Sequence, residues 1–165
     1  MARHGYLVAL GSNMRHQELG SPRAVLEAAL RELDRGPLER LARSRIHTTA
    51  PLGPSRRRFA NAAAVVRTAL DPEALLRRLK RIERDFGRKA RGQSWRARVL
   101  DLDIVLWTGG TWASPALTIP HRAYRQRRFV LDPACEVAPE WRDPLSGLTT
   151  RHLRARLTKP RPAPR

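Results

Sequence analysis

One cysteine, Cys135, is too few for an internal disulfide and leaves no pattern for a cysteine-ligated zinc. No apolar run approaches the roughly 20 residues that a membrane-spanning helix needs. The opening residues, Met1 to Gly5, are short and polar, unlike a secretory leader. By elimination, a soluble cytoplasmic protein is expected. The phosphate loop G-x-x-x-x-G-K-[ST] is absent, as are protein-kinase signatures, which excludes the two commonest phosphoryl-transfer machineries. Aromatic residues make up only 5% of the chain. Tyr6 and Phe59 alone fall where first and third strands are expected, and the RNP pattern is missing. The stacking platform of an RNA-binding sheet therefore has no counterpart. Acidic residues are scarce as well: 15 Asp and Glu stand against 33 Lys and Arg, a net charge of +18. Such an excess favours an anionic partner, although part of it must be solvated surface. Most of it is arginine, whose planar fork matches phosphate.

The 165 residues suit a single domain, residues 1–158, followed by a Pro/Arg-rich tail, 159–165, expected to be disordered. Tyr6 to Leu10 reads as a buried strand that ends in the turn signal Gly11-Ser12-Asn13. Ser21-Pro22 starts a helix, Val25, Leu26, Ala29, Leu30 and Leu33 recur at helical spacing, and Gly36-Pro37 stops it. Leu41 to Thr49 is a weaker second strand. Pro51-Leu52-Gly53-Pro54 is a loop, and Phe59 to Leu70 is a third strand. Asp71-Pro72 opens a second helix with Leu75, Leu76, Leu79, Ile82 and Phe86 as its stripe, ended by Gly87. Leu100 to Trp107 is the fourth strand. Pro120, Pro133, Pro139 and Pro144 chop the remainder into short pieces. The order predicts a ferredoxin-like α+β fold, βαββαβ, with two helices on one face of an antiparallel sheet and extra C-terminal helices.

Asp101 and Asp103 stand i, i+2 on the fourth strand, so they share a face with Cα atoms ~6.6 Å apart. Leu100, Leu102 and Ile104 point the other way, into the core. Paired carboxylates repel unless a cation joins them, and magnesium is commonly held by one or two carboxylates plus substrate phosphates. An isolated Asp-Leu-Asp is also compatible with aspartates paired to arginines on a wet face. The run before it, Arg88, Lys89, Arg91, Arg96 and Arg98 around Trp95, offers guanidinium groups that neutralise phosphate. A solvated basic loop is the plainer alternative. His121, among Arg122, Arg125, Arg127 and Arg128, suits a hydrogen bond to phosphate or a structural role. Phe59 and Asn61 share a strand face. An aromatic ring beside a carboxamide suits a flat heterocycle, which the ring stacks on and the amide reads.

Five stretches occur together: Leu10-Gly11-Ser12-Asn13, Thr49-Ala50-Pro51-Leu52-Gly53-Pro54, Phe59-Ala60-Asn61-Ala62, Arg98 through Ile104, and Ile119-Pro120-His121 through Leu131. The match ends at Glu136-Val137-Ala138-Pro139. In order and spacing the chain, from about Gly5 to Leu157, resembles the 6-hydroxymethyl-7,8-dihydropterin pyrophosphokinase family of folate synthesis. The resemblance implies a ferredoxin-like monomer that binds ATP and two magnesium ions. It implies transfer of diphosphate to the pterin hydroxymethyl group with release of AMP. Asp101 and Asp103 would hold both metals, and Arg88 and Arg98 would serve the triphosphate catalytically. His121 and Arg127 would bind phosphate, with Glu83, Trp95, Ile104 and Thr118 around the nucleotide. Phe59 and Phe129 would sandwich the pterin, Asn61 would hydrogen-bond its edge, and Thr49 and Leu52 would offer backbone contacts. The chain departs from the family at Ala90 and Ser94, where further cations are usual, and at Arg96-Ala97 in place of Gly-Pro. It departs again at Arg122 after the histidine, and at Arg56-Arg57-Arg58, a shorter and more basic loop. The rival readings are a basic nucleic-acid-binding module of the same fold and a family member with weakened catalysis. Carboxylates in the centre of a basic surface disfavour the first, and the intact aspartate pair disfavours the second.

Overall fold

The computed structural model describes residues 2–49, 58–87 and 99–159. The loop expected at Pro51–Pro54, the basic segment from Arg88 to Arg98 and the tail after Lys159 lie outside them. The described chain runs β1 (His4–Ser12), α1 (Pro22–Glu32), β2 (Glu39–Arg43), β3 (His47–Thr49), β4 (Phe59–Thr68), α2 (Pro72–Gly87), β5 (Asp101–Trp107), β6 (Trp112–Ala113), β7 (Thr118–Ile119), a 3₁₀ turn (Tyr124–Gln126), α3 (Arg128–Val137) and α4 (Thr150–Thr158).

Both early helices start as their sequences predict. The Ser21 hydroxyl accepts from the Ala24 N–H at 3.3 Å, and Asp71 Oδ1 accepts from the Ala74 N–H at 2.8 Å. Each thereby satisfies a donor that the first helical turn leaves free. α1 stops at Glu32, short of Gly36-Pro37. Gly36 instead supplies the left-handed φ of +59° for the turn into β2.

The main sheet has the order β2–β4–β1–β5, every pair antiparallel, with β3 also on β4. The second expected strand exists but is broken into β2 and β3. Between them Ser44 bonds Ala63 twice: its N–H donates to the Ala63 carbonyl and its hydroxyl accepts from the Ala63 N–H, both at 2.9 Å.

The sheet is buried on both faces, so the expected pair of helices on one face is only half of the packing. Tyr6, Val8, Leu10, Ala62, Ala64, Leu102 and Ile104 meet Val25, Leu26 and Leu30 of α1 and Leu75, Leu79 and Ile82 of α2. Leu7, Ala63, Val65, Val105 and Leu106 meet Tyr124, then Val130, Leu131 and Ala134 of α3 and Leu153 of α4. Residues 62–66 of β4 are all buried, the unbroken apolar run of a strand covered on two sides. α3 passes through Pro133 without ending. The helix forgoes only the N–H that would have reached the Phe129 carbonyl.

Candidate active site

The register sets four residues of four strands in one row: Asp101 opposite Gly11, Gly11 opposite Asn61, and Asn61 opposite His47. Asp103, opposite Ala9, is in the next row on the same face. This is the face that α3 and α4 cover farther along, where Leu7, Val65 and Val105 lie. Toward the row it changes from apolar to polar. Gly11 keeps the middle open, because a Cβ there would come 3.4 Å from Asn61 Oδ1.

Burial raises the Asp103 carboxyl above its ordinary range, and the Asp101 charge raises it further; His121, Lys80 and Arg127 pull the other way. His121 is held by its own backbone, whose N–H donates to the Val105 carbonyl at 3.0 Å. Its Nδ1 accepts from the Ala123 N–H at 3.2 Å. In the neutral ring the proton therefore sits on Nε2, which lies 3.9 Å from Asp103 Oδ2. Arg127 is half-buried, and its guanidinium lies 5.6 Å from the centre of the Phe129 ring. The segment carrying His121 and Arg127 is pinned from below. Arg125 donates to the fully buried Asp143 at 2.6 and 2.8 Å, and Asp143 also accepts from the Leu145 N–H and the Ser146 hydroxyl. Sequence reading passed over Asp143, for which the Asp-Pro-Leu-Ser turn was the available signal.

Glu83 on α2 reaches across to β5, accepting the Leu102 N–H at 2.7 Å and pairing with Lys80 at 3.2 Å. Burial raises its carboxyl despite these partners. It thus fixes the strand that carries both aspartates. Ile104 is buried in the core of the opposite face, so its side chain does not share the aspartate surface. Thr118 is half-buried in β7, opposite Ala113.

Of the residues expected around a flat ligand, Thr49, Phe59 and Asn61 are neighbours in the sheet. Phe59 and Phe129 are exposed to 43% and 49%, unusual for phenylalanine, and Asn61 lies between Gly11 and His47. Thr49 pairs with Phe59. Arg88, Trp95, Arg98 and Leu52 lie outside the described residues. A hollow of about 440 Å³ lined by Arg23, Arg43, Arg45, Ile46 and His47 meets this row only through His47.

The donor chemistry of the Asp101–Asp103 face suits a magnesium ion. Two carboxylates on one face, one of them half-buried and raised by the other's charge, are the kind of donors that would hold a hard divalent cation.

The fold resembles the wild-type HPPK-DHPS of Plasmodium falciparum with a TM-score of 0.73 at 16% identity, over 94% of this chain and 41% of that one. This chain thus spans less than half of that longer protein. At such identity the likeness defines a class, a mixed α/β fold on an antiparallel sheet. The sequence is more specific. Residues 7–139 match the family described as 7,8-dihydro-6-hydroxymethylpterin-pyrophosphokinase. A 2-amino-4-hydroxy-6-hydroxymethyldihydropteridine pyrophosphokinase of Pseudomonas aeruginosa is 42% identical over 83% of this chain and 82% of its own length. Its namesake in Methylorubrum extorquens is 36% identical over 91% of both. The chain belongs to this pyrophosphokinase family.

Proposed function

We propose that this protein transfers diphosphate from ATP to the hydroxymethyl group of 6-hydroxymethyl-7,8-dihydropterin and releases AMP, a step of folate synthesis. The observation that carries the reading is the single row that brings the Asp101–Asp103 face beside Asn61, with Gly11 clearing the space between. One end of the row suits a phosphate chain and the other suits a heterocycle, which a bisubstrate transfer requires. The strand order β2–β4–β1–β5 supports the ferredoxin-like reading of the sheet.

The substrate hydroxyl oxygen forms a bond to the β-phosphorus. The bond from that phosphorus to the α-bridging oxygen breaks, the electron pair leaves with AMP, and the hydroxyl proton passes to solvent. Such transfers rest on alignment and charge neutralisation. Asp101 and Asp103 would hold the magnesium, two ions by the family's pattern, that offsets phosphate charge when bound. His121 donates Nε2–H to a phosphate oxygen, and Arg127 offers its guanidinium beside it. Arg88 and Arg98 serve the triphosphate. Glu83 fixes β5, and Trp95, Thr118 and the Ile104 backbone border the nucleotide. Phe59 and Phe129 flank the pterin, Asn61 reads its edge, and Thr49 and Leu52 contribute backbone groups. The protein works as a cytoplasmic monomer without nucleic acid. No helix among the described residues is long and apolar enough to cross a membrane.

Purified protein with ATP, magnesium and the pterin is expected to form AMP and the pterin diphosphate in equal amounts, followed by chromatography and phosphorus NMR. Chelation of magnesium should stop both. AMP formation that does not depend on the pterin would overturn the reading. Tight, salt-sensitive RNA binding in its place would favour the nucleic-acid rival.

A further inference from the structure

Glu136 belongs to the last motif of the family resemblance and has no role in the chemistry above. It sits on α3 seven residues after Phe129, two turns along the same side of the helix. Its carboxylate accepts from the Arg45 N–H at 3.0 Å and from Arg45 Nε at 3.3 Å, and it bonds His47 Nε2. Burial pushes this carboxyl up, but the bonds from Arg45 and His47 outweigh it and hold it below its ordinary range.

These bonds reach the weakest part of the sheet. β3 has three residues, lies at an edge and follows the break at Ser44. A strand so short is held poorly by its ladder alone. Yet its residues pair with the Asn61 and Phe59 of the heterocycle wall, while Phe129 of the opposing wall rides on α3. Arg45 and His47 also line the hollow with Arg23 and Arg43. Without the carboxylate they have space to move into, and the Arg45 guanidinium would be left without the acceptor that fixes it.

We infer that Glu136 is a positioning residue: by tying β3 to α3 it sets the spacing between Phe129 and the Phe59–Asn61 wall, and so governs affinity for the pterin without touching it. The inference rests on the pterin reading of the site.

The test combines steady-state kinetics with direct titration of the pterin, monitored by its fluorescence, in the presence of a non-hydrolysable ATP analogue. Glu136→Ala should raise the pterin KM and Kd by roughly tenfold to a hundredfold, as a displaced binding wall does. The ATP KM should stay unchanged. Glu136→Gln, which keeps one acceptor oxygen for the Arg45 N–H, should recover most of the affinity. His47→Ala should lose a smaller part, and it carries the test if Glu136→Ala fails to fold. Folded variants that bind pterin like wild type overturn the inference, as does an equal rise in the KM for ATP and pterin. Wild-type protein that binds no pterin overturns the functional reading itself, a separate result.

Discussion

Asp101 and Asp103 place like charges on one side of β5, and burial raises the Asp103 carboxyl before the Asp101 charge adds to it. A group whose carboxyl is raised by folding opposes folding at every pH above its unfolded value. Asp103→Asn should therefore leave the melting temperature of metal-free protein unchanged or higher, while turnover falls roughly a hundredfold or more. Melting in chelator and the AMP assay measure the two; near-normal turnover would remove the metal assignment. Gly11→Ala tests the space between the two halves of the row. Gly11 has no positive φ, and its added Cβ would meet Asn61 at ordinary contact distance, so the fold should persist within about 1 kcal/mol. The methyl group would still stand between Asp101 and Asn61, and KM should rise for both substrates; an unchanged KM for both would separate the row from the site. At this scale the sequence was informative where alternation along one strand decides, as for Asp101, Asp103, Phe59 and Asn61. The family resemblance put Glu83 near the nucleotide, but its bond to Leu102 was not legible, because it joins a helix side chain to a backbone N–H 19 residues away.

α3 shows how an element is placed by one face and used by its end. Leu131 is fully buried in the second core, against a sheet surface of Leu7, Val65 and Val105. Leu131→Ala should cost about 2–5 kcal/mol by removing that packing. Loosening α3 should also move Phe129, so pterin affinity should fall at temperatures where the protein is still folded, while ATP affinity holds. Denaturant unfolding and pterin titration read the two effects; a destabilised variant with unaltered pterin affinity would detach Phe129 from the site. The helix was hard to see in advance because Pro133 reads locally as a breaker, whereas burial of Val130, Leu131 and Ala134 outweighs one missing hydrogen bond. The break in the second strand was hidden for a related reason. Ser44 replaces a stretch of ladder with side-chain and main-chain bonds to Ala63, and that partner is distant in sequence. β1, α1, β4, α2 and β5 were legible because each carries its own caps or periodicity.

The whole molecule carries 33 basic against 15 acidic side chains, a surplus of 18 cations. Four of the carboxylates that pair have their affinity for protons lowered. Arg125 holds Asp143 at about 2, and Glu27, Asp132 and Glu136 are lowered as well. A depressed carboxyl stabilises the fold above its unfolded value and loses that contribution as pH falls through the folded value. For Asp143, with no exposed surface, the ordinary 3.8 and the folded value of about 2 correspond to about 2 kcal/mol at neutral pH. The melting temperature should be flat from neutral pH to about 5 and drop steeply between about 4 and 2. Asp143→Asn should melt lower at neutral pH and lose less on acidification. Each carboxylate protonated also adds a positive charge to a chain already at +18. Salt then has two opposed effects, since it weakens exposed pairs such as Arg67–Glu39 and screens repulsion among the surplus cations. Exposed pairs contribute at most about 1 kcal/mol each, and the surplus cations outnumber them, so screening should win. Raising salt from about 0.05 to 0.5 M should increase the melting temperature, more at pH 4 than at pH 7, while weakening ATP binding. A melting temperature that falls with salt at both pH values would mean that the paired charges govern the stability of this basic protein.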